Sequence, residues 1–132
     1  MTLEDLFSLK GRTALVTGGS RGIGRMIVEG FLAAGIERVY ITARKGGELH
    51  ETAEELGERV VPIQGDISTM EGIEELVSEL SAKEDKLDIL VNNAGAAWGA
   101  DYAEFPEAGW DKVMDLNVKT PFFLTQKLHT LL

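Results

Sequence analysis

Residues 13–24 read Thr13-Ala14-Leu15-Val16-Thr17-Gly18-Gly19-Ser20-Arg21-Gly22-Ile23-Gly24, a short apolar run that breaks into spaced glycines and passes directly into a helical pattern. Ala14, Leu15 and Val16 suit a buried strand. Gly18, Gly22 and Gly24 let the backbone turn sharply, with no Cβ to keep an anion from the amides. A helix beginning near Gly22 then directs its positive end at that anion, which makes the segment a phosphate cradle. Taken alone, such a turn is also an ordinary strand-to-helix corner, so its meaning depends on the segments around it.

Those segments alternate strand and helix. Ile23, Ile27, Phe31 and Ala34 recur at helical spacing, and Gly35 closes that helix. Val39, Tyr40 and Ile41 form a second strand that runs out into Thr42-Ala43-Arg44-Lys45-Gly46-Gly47. Leu49, Ala53 and Leu56 mark a second helix with Glu51, Glu54, Glu55 and Glu58 on a solvated face and Gly57 as its stop. Val60, Val61 and Ile63 give a third strand, and Pro62, which cannot donate a ladder hydrogen bond, places it at a sheet edge. Ser68 and Glu71 have capping-box spacing ahead of the helical stripe Ile73, Leu76, Val77 and Leu80. Leu87, Ile89, Leu90 and Val91 form a fourth strand. A last helix starts near Gly109 and carries Trp110, Val113, Met114, Val118, Phe122 and Leu128, with a kink expected at Pro121. Right-handed crossovers between such strands imply a parallel α/β sheet.

Composition narrows the function. The chain has 132 residues, 44% hydrophobic and 27% charged, which suits one globular unit with a modest core. A net charge of −9 opposes nonspecific nucleic-acid binding and attraction to an anionic membrane surface, so neither partner is expected, and any anion site must be built locally. There is no cysteine, which removes disulfides, thiolate metal sites and a cysteine nucleophile. His50 sits among glutamates and His129 near the end of the last helix, and both read as surface residues; no metal site is expected. The N-terminus has no basic start followed by a long apolar stretch, and no later run approaches the ~20 apolar residues of a membrane span, so a cytoplasmic location is expected.

The glycine spacing, Thr17-Gly18, three residues, Gly22, one residue, Gly24, departs from the G-x-G-x-x-G dinucleotide fingerprint. It resembles the Thr-Gly-x-x-x-Gly-x-Gly signature of the short-chain dehydrogenase/reductase family. Asp66-Ile67 after the third strand, Asn92-Asn93-Ala94-Gly95 after the fourth, and Asn117-Val118-Lys119 in the last helix agree with that family in order and spacing. A sugar-nucleotide epimerase of the extended branch would instead prefer Gly-x-x-Gly-x-x-Gly. The resemblance implies a Rossmann-like doubly wound parallel sheet with strand order 3-2-1-4, of which only the first half is present. Leu6 to Gly11, together with Asn92 to Gly99, is similar to the 3-oxoacyl-carrier-protein reductases of the family.

The same resemblance implies a cofactor set of Gly18, Ser20, Arg21, Gly22, Ile23, Gly24, Arg44, Asp66, Ile67, Asn93, Ala94 and Gly95. In it Asp66 and Ile67 lie against the adenine ring, the Asn92–Gly95 turn lies beside the ribose, and Ile23 packs near the nicotinamide. A carboxylate at the end of the second strand would bind the adenosine ribose and repel a 2′-phosphate. Here Ala43 and Arg44 stand there, and Arg21 and Lys45 can join them, which favours NADP(H) over NAD(H). One charge-assisted contact of that kind is worth roughly 1.5–3 kcal/mol.

Asn117 reads locally as an amide satisfied by backbone within an apolar stripe, whereas the family resemblance gives it a place in a proton relay serving a tyrosine and a lysine. The Ser and Tyr-x-x-x-Lys partners are absent: Tyr40 is followed four residues later by Arg44, and Tyr102 by Pro106. Residues 1–132 are therefore expected to be a single partial NAD(P)-binding domain that stops before those catalytic residues. The implied reaction moves a hydride between nicotinamide and a carbonyl or alcohol carbon, with a small carbonyl compound or acyl thioester as substrate and a homo-oligomeric parent. The alternative is a noncatalytic dinucleotide-binding or subunit-interaction module.

Overall fold

A computed structural model describes all of residues 1–132. A short helix α1 (Leu3–Phe7) precedes β1 (Thr13–Thr17), α2 (Gly22–Ala33), β2 (Arg38–Ala43), α3 (Gly46–Leu56), β3 (Val60–Gln64), α4 (Met70–Lys83) and β4 (Ile89–Val91). A single 3₁₀ turn at Tyr102–Glu104 leads to α5 (Glu107–Met114), a π-helical turn at Asp115–Lys119, and α6 (Thr120–Lys127).

The four strands are parallel and lie in the order β3-β2-β1-β4, the order implied by the resemblance. Strand side chains alternate between faces, so β1 feeds two cores. Leu15, with Tyr40 and Ile63 of the neighbouring strands, packs against Ile73, Leu76 and Leu80 of α4 and Leu124 of α6. Ala14, Val16, Val39 and Ile41 face the other way and meet Val28 of α2 with Leu49 and Ala53 of α3. Helices on both faces explain why every residue of β1 is buried. Each fully buried Leu, Ile or Val contributes about 1.5–3 kcal/mol relative to exposure. No helix is long and apolar enough to cross a membrane.

Pro62 does sit in an edge strand, aligned with Ile41 of β2. Gly35 and Gly57, just beyond α2 and α3, adopt φ of +86° and +102°, as expected of residues that stop a helix. Glu51, Glu54, Glu55 and Glu58 are all exposed, as are His50 and His129.

Three local expectations need correction. The cap of α4 is Thr69, whose hydroxyl accepts from Gly72 N at 3.0 Å, and not Ser68. Ser68 is turned back to Asp66, and a Cβ on Gly72 would lie 1.7 Å from the Asp66 carbonyl, so the helix starts one residue later and tight against that turn. The fourth strand is shorter than its apolar run: Leu87 is buried but pairs its N–H with Leu131 O at 2.8 Å, outside the ladder. The last helix begins at Glu107, and no simple proline kink follows. Instead the helical backbone continues through the π turn into α6, and Pro121, which cannot donate an N–H, falls where the ladder changes from π to α. α1, over a stretch for which the sequence pattern gives no reading, is held by a reciprocal capping box between Thr2 and Asp5.

Candidate functional site

All four strands end at the same side of the sheet, and there three loops, completed by the end of β2 and by Lys112 and Leu116, line a cleft of about 720 Å³. The first is the glycine turn. Gly18 has φ +65° and donates its N–H to Thr42 O at 2.9 Å, which ties the turn to the end of β2. A Cβ on Gly24 would sit 2.2 Å from Gly18 O and 2.5 Å from Asn93 Nδ2, so the first turn of α2 can press against the loop only without a side chain there. The buried Thr52 hydroxyl donates to Ser20 O at 2.7 Å and anchors the turn to α3. Arg21 is the N-cap of α2 but makes no side-chain cap. The N–H groups of the first helical turn thus receive no protein side chain, which leaves them suited to an anion.

The second loop begins at Asn92. Thr17 Oγ1 accepts from Asn93 N at 3.0 Å and from Ala94 N at 2.9 Å, hanging the loop from the end of β1. Asn93 Nδ2 returns the contact by donating to the carbonyls of Thr17 at 3.0 Å and Gly18 at 3.1 Å. Asn92 points elsewhere, to Thr125 Oγ1 at 3.3 Å. Asn117, in the π turn, clamps the Ala96 peptide at both ends: its Oδ1 accepts from Ala96 N and its Nδ2 donates to Ala96 O, both at 2.8 Å.

The third loop carries Asp66. Its Oδ1 accepts from Ser68 Oγ at 2.6 Å and from Ser68 N at 3.0 Å. The Ser68 hydroxyl contact, then its N–H and the charge of Arg44, hold the carboxyl below its ordinary value of 3.8 against the opposing effect of partial burial. Asp66 is therefore ionised at neutral pH and keeps Oδ2 clear of protein donors. Neither Arg21 nor Arg44 takes part in an ion pair, although both line the cleft.

Of the expected cofactor residues, Gly18, Ser20, Arg21, Gly22, Arg44, Asp66, Ile67, Asn93, Ala94 and Gly95 line this one cleft. Ile23 is exposed on α2, Gly24 lies beneath the turn, and Asn117 stands behind the second loop; none of these three lines the cleft. Sequence reasoning missed Thr17 as the support of the second loop, Thr42 and Lys112 as lining residues, and Thr52 as an anchor. The available signal was a threonine closing each of two apolar strands. Past Ala96 and Ala97 the cleft continues into an apolar cavity of about 370 Å³ walled by Trp98, Phe105, Trp110, Val113 and Met114. Lys112 Nζ lies 5.8 Å from the Trp98 ring centroid.

The family profile of the short chain dehydrogenases matches residues 12–132, nearly the whole chain and all three loops. The chain belongs to the short chain dehydrogenase family. It is 48% identical over 132 residues to the rhamnolipids biosynthesis 3-oxoacyl-[acyl-carrier-protein] reductase of Pseudomonas aeruginosa, covering 98% of this chain and 51% of that protein. The NADP active-site complex of Pseudomonas aeruginosa RhlG has a TM-score of 0.90 to it at 48% identity, covering 96% of this chain and 50% of that one. A 3-oxoacyl (acyl-carrier-protein) reductase from Agrobacterium tumefaciens with NADP bound follows at a TM-score of 0.87 and 32% identity, covering 97% and 50%. The chain spans about half the length of these relatives.

Proposed function

We propose that this chain is the NADP(H)-binding portion of a short chain oxidoreductase that reduces a carbonyl or oxidises an alcohol, with 3-oxoacyl thioesters as the favoured substrate class. The observation that carries this reading is the convergence of an uncapped helix start, a glycine-rich turn, and two guanidinium groups outside any ion pair on one cleft. The donor set fits a dinucleotide phosphate: backbone N–H groups for the pyrophosphate, and Arg21 with Arg44 for an adenosine 2′-phosphate. Ala43, at the end of β2, offers no carboxylate to repel that phosphate. Asp66 Oδ2 suits an exocyclic amine, with Ile67 against the ring face. Gly18, Gly22, Gly24, Asn93, Ala94 and Gly95 set how closely the backbone approaches. Ser20 adds a hydroxyl at the turn, and Ile23, exposed at the start of α2, takes the nicotinamide end on the family resemblance alone.

When bound, the nicotinamide supplies or accepts the hydride. Asn117 contributes here by fixing the Ala96 peptide between the cleft and the apolar cavity, since both polar atoms of its amide are engaged there. The relay role implied by the resemblance is assigned to the same residue. The apolar cavity supports an acyl-bearing substrate, because its five ring and aliphatic walls lead directly from the cleft. Exposed Trp110, Val118 and Phe122 on the α5–α6 side support self-association of the parent protein.

Titration of the chain with NADPH and with NADH, followed by nucleotide fluorescence, tests the cofactor reading. NADPH is expected to bind about ten- to a hundredfold more tightly, from one charge-assisted contact or more. Equal affinity for the two would refute it. Replacing Ala43 with Asp and Arg44 with Ser should reverse the preference.

A further inference from the structure

β2 carries a hydroxyl that the fold does not use. Thr42 is 1% exposed, and its Oγ1 is the one buried side-chain polar atom that has no hydrogen-bond partner. Leaving a buried hydroxyl unpaired costs stability, so such a group calls for a reason. Its surroundings exclude a partner from the neighbouring strands. Thr42 is aligned with Thr17 on one side, and the Thr17 hydroxyl already accepts from the N–H groups of Asn93 and Ala94 and donates to Val91 O. On the other side it is aligned with Ile63, which has nothing to offer. Its own carbonyl accepts from Gly18, which fixes this strand end against the glycine turn. Thr42 nevertheless belongs to the wall of the cleft, directly before Ala43 and Arg44.

We propose that Thr42 is a positioning residue for the bound nucleotide, its hydroxyl forming a hydrogen bond with the adenosine end of the dinucleotide. This rests on the NADP(H) reading above. The paired threonines then divide the work: Thr17 builds the second loop from within the protein, and Thr42, one strand away on the same face, is reserved for what enters beside it. The hydroxyl can donate or accept, so either a ribose oxygen or an adenine nitrogen satisfies it.

The experiment compares the unmodified full chain with Thr42→Val and Thr42→Ser by calorimetric titration with NADPH and with 2′,5′-ADP, alongside thermal melting without nucleotide. Valine keeps the volume and branching of threonine and removes only the hydroxyl. Expected for Thr42→Val is affinity about five- to tenfold lower for both ligands, with an unliganded melting temperature unchanged or raised. Thr42→Ser should recover most of the affinity. Undiminished binding by Thr42→Val overturns the proposal. So does a loss seen with NADPH but not with 2′,5′-ADP, which would place the effect away from the adenosine. A lowered melting temperature together with a loss that serine fails to rescue would assign Thr42 a structural role instead. If the unmodified chain binds neither ligand, the dinucleotide reading itself fails and this inference falls with it; if it binds and Thr42→Val binds equally, only the inference falls.

Discussion

The two ends of the sheet treat charge and space in opposite ways. Where the strands begin, the protein spends its polar groups on itself. Asp88 accepts from Thr13 N at 2.9 Å and pairs with Arg12 and Lys86, each at 3.3 Å, while Glu84 receives both the Arg38 guanidinium and the Tyr40 hydroxyl. Where the strands finish, Arg21 and Arg44 stand unpaired, the Thr42 hydroxyl has no partner, and glycines hold the backbone bare. One end is closed by internal pairing, and the other leaves donors for a ligand. The contrast teaches that a binding cleft can be recognised from what the protein declines to satisfy, once the rest of the same sheet shows how readily it satisfies comparable groups.

The largest effect is expected where α2 presses against the glycine turn. Gly24 and Gly30 lie in the same helix, but a Cβ on Gly24 would meet the Gly18 carbonyl at 2.2 Å, whereas one on Gly30 meets nothing within 4 Å. Gly24→Ala should destabilise the chain by about 3 kcal/mol or more and abolish nucleotide binding, because the obstacle is backbone and cannot step aside. Gly30→Ala should stabilise it by up to about 1 kcal/mol through helix propensity alone. Urea denaturation of both variants checks this. Similar stabilities for the two would show that the turn is softer than its geometry states.

Next in size is Thr17→Val. The change is nearly isosteric, yet it leaves the Asn93 and Ala94 N–H groups without their shared acceptor. A loss of about 2–3 kcal/mol is expected, with weaker nucleotide binding because the second loop is no longer held to β1. Thr17→Ser should retain most of the stability. The comparison with Thr42→Val is informative, since these neighbours on one face should respond oppositely in the unliganded chain. If both variants lose stability alike, the distinction between a used and a reserved hydroxyl is wrong.

The open end of the sheet was legible in the sequence to the extent that its geometry leaves no choice. Gly18, Gly22 and Gly24 announce a turn because glycine is the residue best suited to positive φ at Gly18 and Gly22 and the one that permits the close contact at Gly24. The edge position of Pro62 was readable from its missing N–H, whereas the strand order came from the family resemblance and from no local geometry. The α5–α6 segment was not. A proline within an apolar stripe can be accommodated by a kink, a break or a widened turn, and the π turn is selected by tertiary contacts: Asn117 reaches Ala96, and the Thr120 hydroxyl lies within hydrogen-bonding distance of the carbonyls of Asp115 and Ile67. Likewise Ser68 and Thr69 are both plausible caps by type. What decides between them is Gly72 packing on the Asp66 carbonyl, a contact that no local pattern records.

The smallest effects belong to the closed end, where titration should alter stability without touching the cleft. The Thr13 N–H contact is the main reason the Asp88 carboxyl lies below its ordinary 3.8, with Lys86 and Arg12 adding to it. A carboxyl that binds its proton less readily when folded stabilises the native state fully above the unfolded value, and that contribution fades as pH falls through the lower folded value. Tyr40 is the mirror case. Burial first, and the Glu84 contact second, push its hydroxyl from 10.0 to about 12, so its contribution is complete below pH 10 and disappears as pH rises from 10 to about 12. Melting temperatures across acid and alkaline series should therefore show Asp88→Asn with a flatter acid limb and Tyr40→Phe with a flatter alkaline limb. Removing Arg12, whose side chain is 57% exposed, should matter by no more than about 1 kcal/mol at neutral pH. NADPH affinity at neutral pH should be unchanged in all three variants. A tenfold loss of affinity in any of them would mean that the two ends of the sheet are coupled, and that the closed end does more than hold the strands in place.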